Sequence, residues 1–169
     1  MDRRVVVICG PTASGKTALG VALAKALDGE VVSADSMQVY RGMDIGTAKP
    51  TVEEMDGVPH HMLDVADPAE DFSVARYVDL AAPIVEDILA RGKRPLIVGG
   101  TGLYIDNLLA GRSFPPFSGK IRQELTDRVR TEGLDKLYAE LGRVDPGRQK
   151  ELSPNDEKRI VRALEIYYE

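Results

Sequence analysis

Val5-Val6-Val7-Ile8-Cys9, followed by Gly10-Pro11-Thr12-Ala13-Ser14-Gly15-Lys16-Thr17, decides how the rest of this chain is read. Five consecutive apolar residues, four of them β-branched, predict a strand over Arg4–Cys9. It should be buried on both faces, as strands of a parallel sheet are. Cys9 reads as a small side chain buried within it. The next eight residues fit G-x-x-x-x-G-K-[ST]. Lys16–Leu27 carries apolar residues at Leu19, Leu23, Ala26 and Leu27, one face of a helix. Strand, glycine loop and helix are the setting this motif needs. Its glycines let backbone N–H groups close around a phosphate, and the helix N-terminus adds a positive dipole end. Lys16 brings a full charge, and the Thr17 hydroxyl can ligate Mg²⁺. Gly10, Pro11, Thr12, Ala13, Ser14, Gly15, Lys16 and Thr17 are therefore the expected diphosphate- or nucleotide-binding residues.

Alternation of strand and helix continues downstream. Glu30–Ala34 reads as a second strand, His61–Val65 as a third and Arg94–Val98 as a fourth. A polar, glycine-containing stretch, Arg41–Pro59, separates the second and third. Ser73–Arg91 is a long amphipathic helix with Ser73 as N-cap and Gly92 as its stop. Pro83 should kink or divide it. Thr101–Leu109 is a short helix. Repeated βα units predict an α/β fold: a parallel sheet flanked by helices, of the phosphate-loop NTPase type. Residues 1–112 form this expected core. Ser113–Gly119 reads as a linker, and 113–153 as a small helical insert with charged helices over Lys120–Leu141 and Pro146–Leu152. Ser153, as N-cap, with Pro154 at the first helical position opens a last helix. Residues 154–169 are expected to return to the core, leaving a sheet that lacks a fifth strand.

Composition narrows the function classes. The 169 residues are 43% apolar and 29% charged, ordinary for a globular chain. Net charge is −5, which argues against a protein that coats nucleic acid through bulk charge. The acidity is uneven: residues 1–111 carry −6, and residues 112–169 carry +1. A single cysteine excludes an internal disulfide and a cysteine zinc cage. No apolar run approaches membrane-spanning length, and the N-terminus is a poor signal peptide. A reducing cytoplasm and no membrane partner are the expectations.

Several side chains invite a chemical reading. Asp35 ends the second strand, at the edge of the sheet where the phosphate loop sits. A carboxylate there is either a general base or an ordinary turn aspartate. Ser36, Met37, Gln38 and Tyr40 after it offer polar groups and an aromatic face to a planar ligand. Gly99-Gly100-Thr101 permits close backbone approach, and Thr101 either bonds a ligand or caps its helix. His60-His61 is a poor metal pair, because adjacent strand residues point to opposite faces. Lys158, Arg159 and Arg162 are either an anion patch or solvated helix charges. A switch NTPase would close a later strand with an Asp; here the fourth strand ends Val98-Gly99-Gly100.

Taken together, the motifs resemble the bacterial tRNA isopentenyltransferases, or tRNA dimethylallyltransferases. The resemblance rests on Gly10–Thr17, Ser33-Ala34-Asp35-Ser36-Met37-Gln38-Val39-Tyr40, and Gly42-Met43-Asp44-Ile45-Gly46-Thr47-Ala48-Lys49-Pro50. It extends to Pro59-His60-His61, Val98–Tyr104, and Pro154-Asn155-Asp156 with Arg159 and Arg162-Ala163-Leu164-Glu165. It implies transfer of a dimethylallyl group from dimethylallyl diphosphate to N6 of the adenosine adjacent to the anticodon in tRNA, with Mg²⁺. Asp35 would be the base, Lys16 would stabilise the leaving charge, and Thr101 would orient the amine or the departing group. Asp35, Ser36, Met37, Gln38 and Thr101 would meet the target nucleotide. Arg122, Gln123, Arg159 and Arg162 would contact tRNA from the helical module. A monomer is expected. Members of this family are longer, with a C-terminal segment that completes the sheet, so this chain alone is expected to be inactive or weak. A small-molecule kinase using ATP and a prenyltransferase acting on free adenine nucleotides are the alternatives.

Overall fold

The computed structural model describes residues 4–112 and 119–168, which divide into two compact units, Met1–Phe114 and Pro115–Glu169. The first unit holds β1 (Val6–Cys9), α1 (Lys16–Ala26), β2 (Gly29–Ser33), α2 (Val52–Met55), β3 (His60–His61), α3 (Val74–Ala90), β4 (Arg94–Gly99) and α4 (Gly102–Leu109). Its four strands are all parallel, in the order β1-β4-β2-β3. Register pairs Val31 and Val6 with Leu96 on either side of β4, and Val32 and Val7 with Ile97. Alternation then sends the two sets to opposite faces. Val31, Leu96 and Val98 pack with Val21 and Ala24 of α1. Val32, Ala34 and Ile97 pack with Tyr77, Val78 and Ala81 of α3 and with Tyr104 and Ile105 of α4. This is the expected α/β sheet with helices on both faces. Leu96 and Ile97 are completely buried, each worth about 1.5–3 kcal/mol of transfer.

The first strand departs from its expected burial. Among the described residues β1 pairs only with β4, so it is an edge strand, with Val7 exposed at 37% and Cys9 exposed as well. An apolar run reports the composition of a strand but not how many neighbours it has. The third strand is shorter than expected. Met62 and Asp64 take positive φ, 64° and 56°, which carries the backbone out of the extended region after His61. Parallel pairing resumes only as a single bridge between Tyr40 and Ala66. α3 runs unbroken through Pro83, capped by Ser73, whose hydroxyl accepts the Arg76 N–H at 3.2 Å. The polar, glycine-containing stretch Arg41–Pro59 contains α2, opened by a reciprocal capping box between Thr51 and Glu54.

The second unit is helical: α5 (Lys120–Glu132), α6 (Leu134–Val144), α7 (Pro146–Glu151) and α8 (Glu157–Tyr168). The expected single helix over Lys120–Leu141 is broken at Gly133, whose φ of 92° and ψ of 149° suit glycine alone. Residues 154–169, expected to return to the core, differ most. Ile160, Val161 and Leu164 of α8 are buried with Leu125 of α5, Leu137 and Leu141 of α6, and Leu152. An apolar stripe on a helix specifies burial without specifying against what, and here the neighbouring helices supply the partner. The helix also starts later than Ser153-Pro154 suggests. Asp156 accepts the Arg159 N–H at 3.2 Å, and Ser153 begins a preceding turn. The expected linker, apart from Gly119, lies outside the described residues.

Candidate functional site

The loop Gly10–Gly15 joins β1 to α1 at the carboxyl edge of the sheet. Ala13 and Gly15 both take left-handed φ, 61° and 81°. Successive turns of this kind aim backbone N–H groups inward as an anion-binding nest. Gly15 is the N-cap of α1, with no side chain occupying the helix end. The Pro11 carbonyl accepts the Ser14 hydroxyl at 2.8 Å and the Lys16 ammonium at 2.5 Å, which braces the loop from within.

A cavity of about 510 Å³ opens on this loop. Thr12 to Ala18 form one wall, and Asp35, Gln38 and Gly99-Gly100 another. Thr47, Ala48, Lys49 and Glu54 complete it. The last four come from the polar, glycine-containing stretch Arg41–Pro59. Asp35 serves a turn and faces the cavity at once. Its Oδ1 accepts the backbone N–H groups of Met37, at 2.9 Å, and Gln38, at 3.4 Å. No hydrogen bond from the described residues reaches its Oδ2. Thr101 does not cap α4 through its side chain. Its hydroxyl oxygen instead accepts the Ser36 N–H at 3.0 Å, and its own N–H bonds the Ala34 carbonyl at 3.0 Å. Those two bonds tie the end of β2 to the start of α4.

Gly99 makes this closeness possible. A Cβ there would stand 2.1 Å from the Ala34 carbonyl oxygen. Gln38 lines the cavity and is braced by internal hydrogen bonds. Its Oε1 accepts the Ser33 hydroxyl at 2.9 Å, and its Nε2 donates to the carbonyls of Thr47 and Ala48 at 3.2 and 2.9 Å. Met37 is the exposed side chain of the three that follow Asp35. Lys49 is a rivet that sequence reading missed. Its side chain is 5% exposed, and its ammonium donates to the Tyr40 carbonyl and to Asp44 and Asp64, at 2.7–2.8 Å. Burial opposes its charge, but the two carboxylates outweigh that and hold its pKa above the ordinary lysine value. In the sequence, Lys49 and Arg76 are the only lysine or arginine among residues 44–87, a stretch rich in carboxylates, and that isolation is its signal.

The histidines separate as expected. His60 Nδ1 lies 2.9 Å from the Val58 carbonyl, and His61 Nε2 lies 2.8 Å from Glu30. Tyr104 stacks on Tyr77 with ring centroids 4.2 Å apart. Burial foremost, then the neighbouring Tyr40 and Asp35, raise its phenol pKa.

In the helical unit, the four expected contact residues have intramolecular partners. Arg122 and Arg162 converge on Glu165. Arg159 pairs with Asp156 at 3.4 Å, and Gln123 donates to Asp127 at 3.1 Å. The structure thus brings Arg122 and Arg162 together and leaves Arg159 and Gln123 with partners on their own helices or caps.

A nest feeding a helix at the carboxyl edge of a parallel sheet, with a carboxylate lining the same cavity, defines a phosphate-loop α/β protein. Its particular kind follows from its relatives. The family model described as IPP transferase matches residues 38–169, and that described as Isopentenyl transferase matches residues 3–71. The chain belongs to the tRNA isopentenyltransferase family. The tRNA dimethylallyltransferase 1 of Pelobacter propionicus is 53% identical over 166 residues, covering 98% of this chain and 54% of the relative. That of Caldanaerobacter subterraneus is 52% identical over 169 residues, 99% of this chain and 54% of the relative. Among solved structures, a eukaryotic dimethylallyltransferase acting on tRNA aligns with TM-score 0.83 at 35% identity, over 96% of this chain and 41% of that one. The full-length tRNA isopentenylpyrophosphate transferase of Bacillus halodurans aligns with TM-score 0.65 at 50% identity, over 98% and 55%. The chain spans about half the length of the curated relatives it matches.

Proposed function

We propose that this chain carries the diphosphate cradle and general base of an enzyme that moves a dimethylallyl group from dimethylallyl diphosphate to N6 of the adenosine adjacent to the anticodon in tRNA. The observation that carries the reading is the sharing of one cavity by the nest Thr12–Thr17 and the Asp35 carboxylate. An adenine amine is a weak nucleophile, because its lone pair is delocalised into the ring. The Asp35 oxygen not used by the turn accepts the N6 proton as the N6 electron pair attacks the allylic carbon. The carbon–oxygen bond breaks, and its electron pair leaves on the diphosphate. Lys16 and the N–H groups of the nest stabilise that charge. The Thr101 hydroxyl, fixed through Ser36, orients the amine or the departing oxygen. Reaching the cavity requires the adenosine to leave its stack, and the exposed Met37, two residues after Asp35, offers it an apolar contact.

The Thr17 hydroxyl offers a hard oxygen donor in the same cavity. That suits Mg²⁺, which takes few protein ligands and completes its shell with phosphate and water. Bound there, the ion would neutralise diphosphate charge.

Two measurements test the proposal. Dimethylallyl diphosphate with Mg²⁺ should stabilise the chain by about 2.7 kcal/mol at a hundredfold excess over Kd. A thermal melt protected by ATP and not by the isoprenoid diphosphate would point to a kinase. Asp35→Asn keeps the turn acceptor and removes the base. It should lower single-turnover transfer to unmodified tRNA by at least about 10²-fold, with diphosphate affinity unchanged. Transfer at the wild-type rate would refute the assignment.

A further inference from the structure

We infer that Lys49 is a positioning residue: it fixes the stretch of cavity lining that carries Asp35, and so serves attack by the acceptor rather than binding of the diphosphate. The inference rests on the transfer reading above and extends it to a residue that does none of the chemistry. Lys49 Nζ donates to the Tyr40 carbonyl at 2.8 Å, closing residues 40–49 into a loop at its base, and to Asp44 and Asp64 at 2.7 Å each. Inside the loop the Thr47 hydroxyl donates to the Met43 carbonyl at 2.7 Å. The Thr47 and Ala48 carbonyls hold Gln38 Nε2, and the Gln38 carbonyl accepts the Asp64 N–H at 3.2 Å. The Gln38 N–H in turn reaches Asp35 Oδ1. A continuous path of bonds therefore runs from Lys49, through Asp64 and Gln38, to the Asp35 carboxylate.

Two features of this loop are costly and lie side by side. Lys49 is buried with its charge, and Ala48 holds a φ of 51°, which a residue with a Cβ rarely adopts. Strain of that kind persists only where the surroundings over-determine it. Here Lys49 follows Ala48 directly, and Gln38 grips the Ala48 carbonyl at 2.9 Å. Thr47, Ala48 and Lys49 all line the cavity. An ammonium has three donors, and all three of Lys49 are used within the protein, so its part is to hold the loop and not to neutralise a diphosphate. The cradle is built separately. Ser14 and Lys16 brace it through the Pro11 carbonyl. Among the described residues no hydrogen bond or ion pair joins residues 10–17 to residues 35–49.

Lys49→Met keeps the length of the side chain and removes its three bonds. Single-turnover transfer to unmodified tRNA should fall roughly ten- to hundredfold, the size of effect that misplacing a reacting group by about 1 Å produces. The Kd for dimethylallyl diphosphate with Mg²⁺ should stay within about twofold of the wild-type value, because groups that share no bonds act nearly independently. In a Gln38→Ala background, where the path is already cut, Lys49→Met should lower transfer by no more than about twofold further. Destabilisation alone would instead weaken transfer and diphosphate binding together, and its effect would multiply with that of Gln38→Ala. Asp44→Ala, at an exposed position, leaves Lys49 paired with Asp64 and should show the same split, a several-fold loss of transfer at unchanged diphosphate Kd. Should Lys49→Met not fold, Asp44→Ala decides by the same criteria. Transfer at the wild-type rate in these variants, a matching rise in the diphosphate Kd, or multiplying losses in the double variant would overturn the inference alone. A wild-type chain that binds the diphosphate and transfers nothing to tRNA would overturn the underlying reading, and this inference with it.

Discussion

Asp35 shows how one side chain can close a turn and line a cavity at once. Its Oδ1 closes an Asx turn, and the same carboxylate lines the phosphate cavity. The turn fixes the carboxylate where it lines that cavity. Gly99 makes a second point at this scale. It was legible as a permissive glycine, but the reason for it is steric and long-range. Gly99→Ala would drive a methyl into the backbone of Ala34, where no flexible side chain can yield. We expect a loss of at least about 3 kcal/mol, read by chemical denaturation, together with loss of diphosphate binding. A stable variant with an intact cradle would contradict the close approach of β2 and β4.

At the scale of elements, buried charges clip the first unit together at points far apart in sequence. Glu30 of β2 is 3% exposed and accepts a bidentate pair from Arg91, with Lys93 and His61 beside it. It links β2 to β3, to the end of α3 and to the approach to β4. The Arg91 guanidinium chiefly, aided by His61 and Lys93 and opposed by burial, holds its pKa far below the usual carboxylate range. A group depressed in the folded state contributes stability above its unfolded pKa and loses it as pH falls toward the folded value. Glu30→Gln should therefore cost about 1–3 kcal/mol at neutral pH and flatten the stability curve below about pH 4. Urea midpoints from pH 2 to 7 for the two chains would check this; parallel curves would sink it. None of these partners was predictable from pattern, because each lies 31 or more residues away along the chain.

For the molecule as a whole, two cores of different kind share one chain. The α/β unit builds its core on both faces of a sheet, and the helical unit builds its own among α5, α6 and α8. Leu141 is completely buried in the second. Leu141→Ala should cost about 2–5 kcal/mol there, read from helical circular dichroism on heating. Calorimetric binding of diphosphate with Mg²⁺ should be unaffected at temperatures where the variant is folded. Loss of that binding would show that the units do not act separately.

Much of the α/β core and the cradle was legible because both are written locally. A β-branched run, a glycine loop, a helical stripe and an N-cap each follow from contacts within a few residues. The sequence by itself therefore determined the strand–loop–helix unit, the parallel character of the sheet, and Lys16, Thr17 and Asp35 as groups at one edge. Only the tertiary structure decided that β1 lies at the edge of the four described strands. It likewise placed α8 with α5 and α6, committed Gln38 and Lys49 to internal bonds, and made Glu165 the meeting point of two arginines. Those outcomes depend on which surfaces meet across long stretches of chain. Hydrophobic burial drives such meetings without naming partners, and the hydrogen bonds of buried polar groups select among them.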